Sequence, residues 1–304
     1  MKYAIGIDVG GSNSRVALID EDFNILEWVQ FPTHTEDPEA TLQELADTIK
    51  SFDKPVVGIG MSCPGPLDLI NGCVISAPNL GVKWRGYDLT ETLSKMTGVP
   101  VWLENDANLA TLAEAVLGEG KDYRYVNFLT VSTGLGSGQV IDKKIFGGAH
   151  GFAHEVANAI VWREGPQHGT FKPGALEAVC SGTAITKRAQ AAGLEVRHAG
   201  EVNDLAKAGN EKAQVIMEDA KEYLANFIAF LLAVNDPEIV ILGGSVATKI
   251  DGFCEDIEER VREKVYDPVK PYVKVHKSSL SEDSGLLGAA CLAFERSGNL
   301  KTTD

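Results

Sequence analysis

The feature that most constrains this chain is a pattern that occurs twice: an apolar strand, a glycine-rich turn, and a second strand leaving the turn at hairpin distance. The first copy is Tyr3–Asp8, Val9-Gly10-Gly11-Ser12 and Ser14–Asp20. The second is Tyr125–Ser132, Thr133-Gly134-Leu135-Gly136-Ser137-Gly138 and Gln139–Asp142. Such a repeat points to two domains of like topology facing each other across a cleft. Glycines let the backbone come close to a phosphate and aim N–H groups at it. Either turn alone also reads as a tight hairpin with nothing bound. The first is not a Walker loop, because no Gly-Lys-Ser/Thr follows it. The pair is more telling. Asp8 ends the first strand, where a single carboxylate suits a hydrated Mg2+. Gly10, Gly11 and Ser12 on one side, and Thr133, Gly134 and Gly136 on the other, form a plausible clamp for a nucleotide's phosphates.

The elements between the copies alternate. Helical spacing marks Glu39–Phe52 and Leu89–Met96, and Pro55–Ser62 reads as a buried strand. Val101–Leu103 is another strand, broken by Glu104-Asn105-Asp106, and a helix runs from Ala107 to its stop at Gly118. Asp106 therefore stands at a strand-to-helix junction, where α/β folds present groups to ligands. The helix dipole favours its ionised form, which suits an acceptor of a hydroxyl proton. Asp is also a favoured N-cap, and this stretch alone leaves both readings open. Farther on come short helices at Gly182–Ala192 and Val202–Ala208, and a long one at Glu211–Val234 with a wide apolar face. After strand Glu238–Leu242, Gly243-Gly244-Ser245 opens a helix with backbone suited to a nucleotide. Ile250–Lys264 is an exposed helix, Val273–Ser278 a strand, and Gly285–Arg296 the closing helix; Arg163–Gly174 is a polar surface loop.

Composition narrows the function. The 304 residues, 44% apolar with 31 Gly, suit one very large or two ordinary α/β domains. With 28 basic and 43 acidic side chains the net charge is −15, which opposes nucleic acid and anionic membranes. Bound phosphates must then be met by backbone N–H groups, a metal and a few local cations. The Cys residues are scattered with no CxxC pair, as expected of reduced core residues in a cytoplasmic protein. The N-terminal stretch soon turns into its glycine hairpin and is not read as a signal sequence, and no apolar run approaches the roughly 18 residues of a membrane span.

These blocks, in this order, resemble the ROK sugar kinases, the bacterial glucokinase-like members of the actin-like ATPase superfamily. The likeness runs from about Tyr3 to Arg296. It rests on the first glycine turn, Pro64-Gly65-Pro66-Leu67-Asp68, Ala77-Pro78-Asn79-Leu80, Glu104-Asn105-Asp106-Ala107-Asn108, the second glycine turn, Gly151-Phe152-Ala153-His154-Glu155, Leu242-Gly243-Gly244-Ser245 and Gly285-Leu286-Leu287-Gly288-Ala289-Ala290. The resemblance implies two ribonuclease-H-like α/β domains around a central cleft: a smaller one of residues 1–116 plus 285–304, and a larger one of 117–284. It implies an ATP-dependent kinase acting on a hexose or hexose derivative, with Mg2+ near Asp8 and Asp106 as the base. Asn79, Asn105, Asp106, Glu155 and Glu177 would hold the sugar's hydroxyls, and Gly243 and Gly244 would border the adenosine. Arg15, where the family often has Lys, either approaches a phosphate or lies on the hairpin surface. The resemblance also allows a homodimer.

The chain departs from the family in one region. Many members follow the sugar-binding Glu with Gly-His, whose His binds both zinc and sugar, and a CxCGxxGC segment supplies the other zinc ligands. Here Val156-Ala157-Asn158 follows Glu155, so Asn158 stands where that His would be, and Arg163–Gly174 replaces the cysteine segment. Zinc takes four N or S ligands, so no zinc is expected, and His150, His154 and His168 are read as loop or half-buried histidines. Asn158 can still hydrogen-bond a sugar hydroxyl. Two other functions compete. A sugar-sensing repressor of this family needs a DNA-binding region before the first glycine turn and a basic face, and neither is expected here. A catalytically silent sugar-binding protein is opposed by the retention of Asp8, Asp106 and both turns.

Overall fold

The computed structural model describes residues 1–301 except 78, 281 and 282. The chain forms two compact units. The first comprises Met1–Leu117, Lys143–Ala153 and the chain from Leu280 onward, and the second Gly118–Asp142 and His154–Ser279. The expected boundaries had no place for the return of Lys143–Ala153, which is tied to the first unit by the Lys143 ammonium donating to the Ala115 carbonyl at 2.5 Å.

In the first unit β1 (Tyr3–Val9) and β2 (Asn13–Asp20) form the expected hairpin. β3 (Ile25–Pro32) extends it, followed by α1 (Pro38–Ser51) and β4 (Ile59–Ser62). A small hairpin of β5 (Leu67–Asp68) and β6 (Cys73–Val74) precedes α2 (Leu89–Thr97), β7 (Val101–Glu104) and α3 (Asp106–Val116). The sheet order is β3-β2-β1-β4-β7, with β1, β4 and β7 parallel. Local signals set the helices. Asp37 caps α1 by accepting from Ala40 N–H at 3.2 Å, ahead of Pro38 at its first position; Asp88 caps α2, and Gly98 ends it at φ +74°.

Side chains alternate across β1. Ile5 and Ile7 join Leu42 and Leu45 of α1 and Leu89 and Leu93 of α2 in one core. Ala4 and Ala17 face the last helix, α10 (Ser284–Arg296), which brings Leu286, Ala290 and Phe294. The helix lies so close that a Cβ on Gly60 of β4 would overlap the Ala289 carbonyl. The sequence pattern gave no sign of β3. It is an edge strand with Leu26 and Trp28 exposed, so neither face carries the alternation that marks a half-buried strand.

The second unit repeats the plan. β8 (Tyr125–Val131) and β9 (Leu135–Ile141) are antiparallel; β11 (Ile239–Gly243) runs parallel to β8, and β12 (Val275–Lys277) parallel to β11. The short β10 (Lys144–Ile145) follows β9 in sequence. Its helices are α4 (Leu176–Cys180), α5 (Gly182–Ala191), α6 (Ala199–Lys207), α7 (Glu211–Asn235), α8 (Gly244–Lys249) and α9 (Phe253–Lys264). Leu224, Ile228 and Leu232 of α7 lie at the heart of the core, with Ile185, Val202, Ile257 and Val261 from three other helices. Several boundaries differ from expectation. β9 begins at Leu135, so Gly136 is a strand residue paired with Thr130 and the second turn is only Ser132–Gly134. The helix expected from Ile250 starts at Phe253, because Gly252 at φ +77° breaks it from α8. α6 begins early, at Ala199, because His198 caps it.

Candidate active site

The parallel register of the first sheet sets Asp8, Ser62 and Glu104 side by side at the carboxyl ends of β1, β4 and β7. Ligands of α/β sheets bind at this edge. Cys63 follows Ser62, and its buried thiol is pushed well above the ordinary thiol range, by burial first and then by the charges of Asp8 and Asp106. One thiol sensing both carboxylates places them on the same patch.

Asp106 is the first residue of α3, but it is not the cap. Asn105 is: its Oδ1 accepts from Asn108 N–H at 2.7 Å. Buried Glu104 braces the junction, its Oε1 accepting from Asn105 N–H at 3.0 Å and from the Asn108 side-chain amide at 2.9 Å. Of the two readings of Asp106, capping is thus taken by its neighbour. Asp106 Oδ1 accepts from Ala107 N–H at 2.8 Å. The side chain reaches solvent although protein atoms crowd around it. That crowding raises its pKa above the usual aspartate value; the Ala107 N–H opposes the rise and the Asp8 charge adds to it. Access to water limits the size of the effect.

Asp8 is held by Arg15, whose Nη2 stands 2.8 Å from Asp8 Oδ2, while Nη1 lies 3.5 Å from Asp283. Arg15 thus pairs with two carboxylates of the same unit. Gly285, in the first turn of α10, lies against the Asp8 carboxylate, so a helix N-terminus also faces it. The first glycine turn closes through Gly10 N–H to the Asn13 carbonyl at 2.9 Å. Thr33 secures it, donating its hydroxyl to the Gly10 carbonyl at 2.8 Å and its N–H to the Ser12 carbonyl at 3.0 Å. Sequence reading missed Thr33, because it follows the strand that the pattern did not reveal. Exposed Asn79 packs on Gly11, leaving no room for a Cβ there; its neighbour Pro78 lies outside the described residues.

The second unit holds a cavity of about 770 Å³. Its walls include Thr133 of the glycine turn, Thr183 at the start of α5 and Ser245 at the start of α8. Lys187, Lys207 and Lys249 line it as well, local cations within an acidic chain. The two glycines expected beside an adenosine, Gly243 and Gly244, lie at the β11–α8 junction, and the cavity wall starts one residue later. A Cβ on Gly244, at φ +81°, would strike the Val131 carbonyl, so this glycine lets α8 start tight against β8.

Glu177, on α4, lies at the same turn: its Oε2 accepts from Leu135 N–H at 2.9 Å. Burial raises its pKa, while the Leu135 N–H and the nearby His168 pull it down. Glu155 is exposed at the start of a short 3-10 turn, Val156–Asn158, whose Asn158 is exposed too. His154 precedes them at φ +67°, half-buried, its Nε2 3.2 Å from Gln139 Oε1; burial lowers its pKa. The Arg163–Gly174 loop is pinched at its base, Val161 N–H donating to the Gly174 carbonyl at 2.9 Å and Gly174 N–H to the Pro166 carbonyl at 2.8 Å. Trp162 stacks on Tyr223 of α7 at 4.8 Å between ring centroids, and Arg188 lies over the indole at 5.8 Å while pairing with Asp219. Among the described residues no group of three or more His, Cys, Asp or Glu side chains could hold a metal ion.

Two units, each with an antiparallel hairpin followed by parallel strands, define a protein of the actin-like ATPase class. The chain belongs to the ROK family, whose sequence profile matches residues 4–296. It is 34% identical to the glucokinase of Thermotoga maritima, over 97% of this chain and 98% of that one. It is 31% identical to the N-acetylmannosamine kinase of Citrobacter koseri, over 95% and 98%. Its fold is similar to the crystal structure of a ROK hexokinase from Thermus thermophilus, with a TM-score of 0.87 and 30% identity over 98% of this chain and 99% of that one. The chain is an ATP-dependent sugar kinase. No helix among the described residues is long and apolar enough to cross a membrane.

Proposed function

We propose that the chain phosphorylates a hydroxyl of a hexose or hexose derivative, with Asp106 as general base and glucose as the default sugar. The observation that carries this is the division of labour at the start of α3. Asn105 is the N-cap, so the Asp106 carboxylate, accessible and with a raised pKa, keeps one bond to the helix, from Ala107 N–H, and one oxygen, Oδ2, turned to other work. A base poised higher than an ordinary aspartate accepts the hydroxyl proton more readily. Phosphoryl transfer to an alcohol needs little more than this orientation and charge neutralisation around the donor phosphates. For the sugar's hydroxyls we assign Asn79 and Asn105 in the first unit, and Glu155, Asn158 and Glu177 in the second, on the family resemblance. Amides and carboxylates together can donate and accept.

For ATP we assign the backbone of Gly10–Ser12 and Thr133–Gly134 to the phosphates and the lysine-bearing cavity of the second unit to the nucleotide. Asp8 suits Mg2+, which binds through one or two carboxylates and keeps the rest of its shell for water and phosphate oxygens. When bound it would neutralise charge on the donor phosphates. Arg15 holds the Asp8 carboxylate in place. We assign no zinc: Asn158 supplies no imidazole, and the loop that replaces the cysteine segment is held by the Trp162–Tyr223 stack and backbone hydrogen bonds.

The test is ADP release with Mg-ATP over hexoses, N-acetylhexosamines and β-glucosides, with Asp106→Asn alongside. A strong signal for one sugar, lost in the variant, supports the reading and names the substrate. Turnover on no sugar, together with a sugar-induced rise in melting temperature, would replace it with a catalytically silent sugar sensor.

A further inference from the structure

The second glycine turn has a partner from far along the chain. Glu177 Oε2 accepts from Leu135 N–H at 2.9 Å, and a Cβ placed on Gly134 would stand only 3.0 Å from the same oxygen. A carboxylate thus lies flat against the backbone where the turn becomes β9. A turn followed by strand glycines at Gly136 and Gly138 has many conformations to lose, and one charge-assisted hydrogen bond selects among them. Glu177 is on α4, which follows directly on the Arg163–Gly174 loop, and His168 of that loop acts on its carboxyl. The residue therefore touches the phosphate-side turn and neighbours the loop that replaces the family's cysteine segment.

We propose that Glu177 is a positioning residue for the donor: its carboxylate fixes the Ser132–Leu135 backbone in the conformation that receives a nucleotide phosphate. The role is separate from any contact Glu177 makes with the sugar, and it rests on the ATP assignment above. Glycine at 134 suits this role, since a Cβ there would stand 3.0 Å from the carboxylate oxygen and crowd its bond to Leu135 N–H. An amide oxygen in place of the carboxylate can still accept that hydrogen bond; a side chain one methylene shorter cannot reach it.

The test is calorimetric titration of Mg-AMPPNP into the sugar-free protein, for wild type and for Glu177→Ala, Glu177→Asp and Glu177→Gln, with melting curves as a check on folding. Glu177→Ala and Glu177→Asp should weaken nucleotide binding roughly tenfold, the scale of one lost charge-assisted hydrogen bond, while Glu177→Gln stays close to wild type. In turnover assays the KM for ATP should follow the same order, and the Gln variant should not recover the KM for sugar. If Glu177→Ala fails to fold, the Asp and Gln pair decides the matter. The proposal is overturned if all three variants bind AMPPNP like wild type and only the sugar KM moves. It is equally overturned if removing the carboxylate tightens nucleotide binding, since Glu177 would then compete with the phosphate. Wild-type protein that binds no nucleotide would sink the ATP assignment and this proposal together.

Discussion

Asp106 is pulled two ways by the protein that holds it. Its folded-state pKa is raised, so the native state binds a proton more tightly than the unfolded chain does. Its contribution to stability is therefore full below the ordinary aspartate value and declines as pH rises through the raised one. Replacing it with the neutral isostere removes that cost. Asp106→Asn should melt higher than wild type at neutral pH, with the gap closing in acid, while kcat falls by roughly 10²- to 10⁴-fold, the usual contribution of a general base. Calorimetric melts at several pH values and a steady-state assay check both halves; a variant that turns over normally removes Asp106 from the reaction. The wild-type rate should fall on the acid side at a pH above the ordinary aspartate range, as the base is protonated. Asn105→Ala should behave in the opposite way, losing about 1 kcal/mol in a urea titration through the missing cap. The break Glu104-Asn105-Asp106 made this junction legible in the sequence. Which of the two residues caps the helix was not, because Asn and Asp are equivalent caps until backbone geometry chooses. Thr33 was hidden for a different reason: its meaning depends on a hydrogen bond to Gly10, distant in the sequence.

Among the elements, α10 is tightly constrained. It is built from small residues, Gly288, Ala289, Ala290 and Ala293, and it presses on a sheet whose Gly60 leaves no space for a methyl group. Gly60→Ala should cost about 1–3 kcal/mol, the range for overpacking a core, read as a lower urea midpoint at unchanged slope. A midpoint equal to wild type would mean that helix and sheet can separate without cost. The Arg163–Gly174 loop offers a second test. Trp162→Ala removes the stack on Tyr223 and the seat of Arg188. Limited proteolysis should then cut the loop faster, while a loop held by its backbone bonds alone would keep wild-type resistance. Elements with clear periodicity, such as α1, α7 and β1, were legible nearly to their ends. β3 was not, since an exposed edge strand has no buried face to advertise. The helix expected across Ile250–Lys264 continued an amphipathic pattern through Gly252, where the backbone turns left-handed and the pattern carries no trace of it.

At the scale of the whole molecule, the twice-used hairpin and glycine turn were enough to foresee two α/β units, while the family was legible only from all eight motif blocks in order. The return of Lys143–Ala153 to the first unit was out of reach, because long-range packing sets it and no local composition marks it. Metal dependence is the property to test here. Exhaustive chelation should abolish turnover until Mg2+ is restored and leave the melting temperature unchanged, and metal analysis should find no stoichiometric zinc. A chelator-induced fall in melting temperature, or one zinc per chain, would show that a metal helps hold the fold.

The threading of the chain has a consequence for how the protein is made. Domains assemble as units while the polypeptide is still being synthesised. The first unit begins the chain, but its β1–β4 face lacks its cover until Ser284–Arg296 has emerged, after every residue of the second unit. The earlier half must therefore wait, with Ala4, Ala17 and Ile19 uncovered, while the later half is completed. That interval is when a nascent chain of this kind would need a chaperone most.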